Sequence, residues 1–256
     1  GRGLDQAREH LSSVELMLRQ WLQARGFGPL GLLLWSVSLC AWLLIVGGDR
    51  LHVVLPLLCG GPSNATIPQG VFALDFAIQT VGWPALAGGS VLMVVAMMAP
   101  ALAGPFLHLW YRSLSRHRWR AILLFIAGYL SIWTVVCVFL ILTAYLLHGS
   151  TGSELGAGLV VAATGLAWQV SPARARCLAR CHLRPRLSIF GVAAFTDPLL
   201  FGLTLACWCV ATCWALMLLP LCLADAHLPL MAAGALLVAI ERTKQSRPGR
   251  SGLVFR

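Results

Sequence analysis

Six apolar runs decide what this chain can become. Five of them, residues 28–48, 85–110, 121–147, 155–171 and 199–222, reach or approach the roughly 20 residues that a bilayer-crossing helix needs. The sixth, residues 228–240, is shorter, and snorkelling of Arg242 and Lys244 would extend it. All six are too long for strands and lack period-two alternation, so they predict helices. Only 11% of the residues are charged and 59% are hydrophobic. A soluble domain could not bury that much apolar surface and still coat itself with polar groups. A soluble enzyme, a disordered chain and a disulfide-dense secreted module are therefore excluded.

The charges, few as they are, carry direction. Nineteen basic residues stand against nine acidic ones, a net charge of +10. In a soluble protein that excess would suggest nucleic acid; here it sorts by loop instead. Placing the N-terminus, the loops 111–120 and 172–198 and the C-terminal residues from Arg242 onward on one side collects 18 of the 19 basic residues there, with only Arg50 opposite. The expected fold is therefore all-α. It is a polytopic bundle of six transmembrane helices with both termini cytoplasmic and a membrane domain over residues 28–244. A basic tail, residues 245–256, follows, and no nucleic-acid role is expected.

Residues 1–27 hold a predicted cytoplasmic amphipathic helix, with Leu4, Ala7, Leu11, Val14, Leu18 and Trp21 on one face. It suits the lipid surface or a partner. The outer segment 49–84 contains Cys59 and an Asn64-Ala-Thr66 sequon.

No Asp, Glu, Lys or Arg falls inside any of these spans, as a proton or ion path would normally need. There is no nucleotide loop, zinc-protease helix or nucleophile motif either, so no enzyme is expected. The spans hold sulfur instead. Met93 and Met97 share one helix face, with Met98 beside them, and Cys209, Cys213 and Met217 share another. Both stripes fall near mid-span. Thiolate and thioether donors are soft and favour Cu(I). The same side chains also serve as ordinary core fillers. A second candidate set, Cys177, Cys181 and His182, lies in the basic loop, where Arg174, Arg176 and Arg180 would activate the thiols. Its alternative is an amphipathic helix binding anionic lipid.

Four motifs carry a family resemblance. They are Met93-Val-Val-Ala-Met97-Met98-Ala-Pro100, Gly128-Tyr129 with Trp133, Gln169-Val-Ser-Pro172 through Cys177 and Cys181, and Cys209-Val-Ala-Thr-Cys213-Trp214-Ala-Leu-Met217. Over residues 88–244 the chain resembles the bacterial predicted metal-binding integral membrane proteins (domain of unknown function 2182). The resemblance implies a multi-span helical fold in the bacterial inner membrane and a metal role, with copper the expected ion. Family members carry a second Cys where Thr212 stands here and a His where Leu205 stands.

Two functions follow as expectations. One is copper handling or delivery to a membrane enzyme. The other is a non-catalytic accessory subunit of a larger membrane complex that has lost its metal. For the second, Gly156, Gly158, Ala162, Ala163 and Gly165 offer a face for close packing on other subunits.

Overall fold

The computed structural model describes residues 29–50, 83–188, 190–223 and 226–245. The N-terminal amphipathic helix, the outer segment with Cys59 and nearly all of the basic tail lie outside these residues. Among these residues eight α-helices occur in order: α1 Pro29–Arg50, α2 Trp83–Met98, α3 Ala103–Arg112, α4 Arg118–Thr151, α5 Glu154–Gln169, α6 Pro172–Arg180, α7 Ala193–Cys222 and α8 His227–Gln245. Single 3-10 turns, Ala99–Leu102 and Ser115–His117, join α2 to α3 and precede α4. Among the described residues there is no strand.

Every apolar run became a helix, but not every one is a span in its own right. Four segments are long and apolar enough to cross a membrane: Pro29–Gly47, Ala87–Arg112, Ser115–Thr151 and Ala193–Cys222. A fifth exists if α5 and α6 count as one broken span, bent by 72°. The break is local chemistry. Val170 ends α5, and Ser171 opens α6 by accepting the Arg174 N–H at 3.1 Å, with Pro172 at the first helical position. The short α8 is not among the spans. Outward positions on the long helices are apolar: Leu123, Val135, Phe139, Leu159 and Leu166 are all exposed. Large aliphatic side chains facing out in such number suit hydrocarbon rather than water.

Two devices hold the helices in place. The first is a close seam between α4 and α7. A Cβ on Gly128 would stand 2.6 Å from the Leu199 carbonyl, and one on Gly202 would collide with the Phe125 carbonyl. Glycine alone lets these backbones meet. Phe125, Tyr129 and Trp133, four residues apart, form a buried aromatic file along the seam. Phe201 answers it from α7, its ring centroid 5.2 Å from that of Phe125.

The second device is a missing donor. In a regular helix the N–H of residue 100 would bond the carbonyl of residue 96, and Pro100 has none. The Ala96 carbonyl accepts instead from Ser38 Oγ at 2.6 Å and Trp42 Nε1 at 3.1 Å, both on α1. In a bilayer no water would take their place. On the far flank, Gly165 of α5 lies against Ala215 of α7, and Gly158 against Leu223. Of the small-residue face, Gly158 and Gly165 are buried within the chain, Gly156 and Ala162 are half-buried and Ala163 is exposed.

Candidate metal centre

The seam delivers Tyr129 to Cys209. Cys209 is buried midway along α7, and its Sγ is approached from three other helices. Tyr129 of α4 donates its hydroxyl hydrogen to Cys209 Sγ at 3.3 Å. Arg242 of α8 donates from Nη2 to the same sulfur at 3.3 Å. Met98, the last residue of α2, places Sδ 3.9 Å away. Cys213, one turn further along α7, hydrogen-bonds Cys209 and contacts Thr212 Oγ1 at 3.4 Å. Cys181, just past α6, is buried, and its thiol bonds Arg242 and Thr212. Four sulfurs, a phenol and a guanidinium therefore share one pocket of the interior.

The candidates divide as follows. The structure brings Cys209, Cys213, Met98 and Cys181 together. It turns Met97 the other way, its Cε toward Gly234 of α8. Met93 and Met217 are buried further along their helices, Met217 eight residues or ~12 Å beyond Cys209. Cys177 and His182 flank Cys181 and are half-buried. Among the described residues no three His, Cys, Asp or Glu side chains group to hold a metal ion. A protein-only site at Cys209 thus needs thioether sulfur as well as thiol.

Three expectations need correction. Arg242 does not snorkel to the surface; it folds inward onto Cys209. Arg174 and Arg180, expected beside the loop thiols, have other partners. Arg174 is bound to Glu241 in a part-buried ion pair, and the Arg180 guanidinium lies over the Trp208 ring at 4.6 Å. Those contacts hold one side of α6 on the bundle, while Arg176 and Arg180 stay exposed. Finally, the Cys181 thiol is not made reactive. Burial pushes it up to about 11, and the nearby Arg242 charge offsets that only in part. Burial, with the neighbouring Arg242 charge, likewise draws Arg184 below the usual arginine value.

Tyr129 and Arg242 are the site residues that sequence reasoning passed over. Tyr129 had a readable signal, since it follows Gly128 and sits four residues before Trp133 in an apolar run. A buried tyrosine hydroxyl needs a partner, which marks it as a candidate.

Residues 89–252 match the sequence profile of the PpoB2 family, described as copper chaperone. No curated protein and no solved structure matches the chain. The profile covers well over half of the sequence, and the chain belongs to the PpoB2 copper chaperone family.

Proposed function

We propose that this family member carries Cu(I) inside the membrane and passes it to a membrane enzyme. Cys209 and Cys213 supply thiolates and Met98 supplies a thioether. The observation that carries the reading is the 3.9 Å approach of Met98 Sδ to Cys209 Sγ, made between helices far apart in sequence. Two sulfurs on one ion, each bonded at about 2.3 Å, lie within ~4.6 Å of each other. Soft donors with no carboxylate or imidazole among them favour Cu(I) over hard cations. A chaperone carries its ion as cargo, which fits a buried site without catalytic groups.

Cys181 extends the reading toward the loop. It sits between the Cys209 pair and the half-buried Cys177, so Cys177 and Cys181 form the hand-over side of the site. The apolar exterior and the loop charges support a six-span arrangement in the bacterial inner membrane with both termini cytoplasmic. In that arrangement α8 is the sixth span and the site faces the cytoplasmic half. The metal-binding family named above from its motifs agrees with this role. The competing reading, an accessory subunit without metal, draws on the small-residue face of α5, which α7 already covers at Gly158 and Gly165.

The test is elemental analysis of the purified full chain in detergent after Cu(I) loading under reducing conditions. About one copper per chain is expected, and Cys209→Ala with Cys213→Ala should abolish it. Under a tenth of an equivalent in the parent chain would overturn the reading.

A further inference from the structure

We propose that Arg242 makes this centre selective for a monovalent ion over a divalent one. The inference rests on the copper-carrying reading above and deepens it, because it concerns how the same site discriminates.

Two thiolates on one Cu(I) carry a net charge of −1; on Zn(II) or another divalent ion they carry zero. Binding breaks two S–H bonds, forms two metal–thiolate bonds and one bond to the neutral Met98 thioether, and releases two protons, with no change in oxidation state. In a buried site the two products differ in what they need nearby. The anionic complex is costly to bury unless a positive charge accompanies it, and the neutral complex is not.

Arg242 meets that need by position and chemistry. Its Nη2 lies 3.3 Å from Cys209 Sγ, and the same side chain bonds Cys181. A guanidinium keeps its proton under all working conditions, so the charge is fixed. Arg184 stands close enough to feel Arg242 and adds to the positive field. On the other face of α8, Glu241 is bound to Arg174 and does not take the place beside Cys209. The discrimination depends only on the unit difference between the two complexes, so other charges nearby leave its sign unchanged. For one unit charge at contact distance in a partly screened interior, the preference amounts to about ten- to a hundredfold in relative affinity. The bland alternative makes Arg242 a structural clamp between α8 and α7, which would affect every metal equally.

The experiment measures Cu(I) and Zn(II) affinities of the full chain in detergent by competition with chromophoric chelators. The parent chain is compared with Arg242→Gln and Arg242→Lys. Arg242→Gln should weaken Cu(I) about ten- to a hundredfold and leave Zn(II) unchanged or tighter, while Arg242→Lys keeps most of the preference. Equal loss for both metals, or no loss for either, overturns the inference. A parent chain that binds no Cu(I) overturns this inference and the copper reading together. Cu(I) binding that needs Cys209 but ignores Arg242→Gln overturns only this one. The parent chain alone gives an independent arm in case Arg242→Gln fails to fold. Ag(I) should displace bound Cu(I), whereas the equally thiophilic but divalent Cd(II) should not. Displacement by both ions with equal ease overturns the inference.

Discussion

Met97 and Met98 are neighbours in sequence and live in opposite surroundings. Met98 points to the α4–α7 seam, where glycines bring backbones into contact and polar tips converge on one sulfur. Met97 points to a groove of about 250 Å³ between α1, α2 and α8, lined by Trp35, Ser38, Trp42, Ala232 and Ala235. Both side chains are fully packed at their own positions, and both end in the same thioether. The difference shows that a soft donor becomes a candidate ligand through what meets it: spacing pairs Met93 with Met97, while Met98, named beside them, is the methionine that reaches Cys209. Tight backbone approach and a converging thiol make one methionine chemical; small side chains and open space leave the other a filler.

That contrast can be broken at six positions. Gly202→Val should do the most damage, because its side chain would be driven into the Phe125 carbonyl. A loss of about 3 kcal/mol or more in detergent unfolding, together with loss of copper, is expected. Gly234→Ala on the groove side has only the flexible end of Met97 to displace, 3.2 Å away, and should cost under about 1 kcal/mol. Similar losses at both positions would erase the distinction between seam and groove.

The α6 side of the sulfur cluster should show a pH signature. Cys181 has its thiol raised from 9.0 to about 11 by burial. Its raised value favours the protonated folded state, so the contribution is intact below pH 9. It is then lost as pH rises through 11, because the unfolded thiol ionises first. The parent chain should therefore lose about 2 kcal/mol more stability over that interval than Cys181→Ser. Parallel curves for the two proteins would show that Cys181 is not desolvated.

Smaller effects separate the methionines themselves. Met98→Leu should weaken Cu(I) binding about tenfold, and Met97→Leu should leave it unchanged, read by chelator competition. Equal losses would restore the stripe reading. Ser38→Ala should be mildest of all. Trp42 still serves the Ala96 carbonyl, so about 0.6 kcal/mol is expected in thermal unfolding, with metal affinity intact.

Helix positions were legible because apolar runs as long as 121–147 and 199–222 exceed any strand and lack its alternation, and α4 and α7 contain both. The candidate site was legible in type: Cys209 and Cys213 were named from spacing, and they meet a methionine of α2. Its composition was not. Arg242 ends an apolar run, where snorkelling is the usual behaviour, and only the 72° turn into α6 gives it a covered interior to enter. Cys181 looked like part of a separate loop site for the same reason. Whether a side chain joins a cluster depends on helix bends and backbone contacts. A bend set by Ser171-Pro172, or a clash avoided at Gly202, is visible in sequence only once its partner helix is known.

Pro100 has a reach beyond its own turn. The carbonyl it leaves without a helical donor holds two side chains of α1, Ser38 and Trp42, which lie one turn apart on a single face. Rolling α1 about its axis by one residue, about 100°, would forfeit both bonds at once, and in a bilayer hydrocarbon would offer no replacement. The first helix, most of whose surface is greasy and without angular preference, is thereby keyed to a single rotational setting. One absent hydrogen atom serves as the notch.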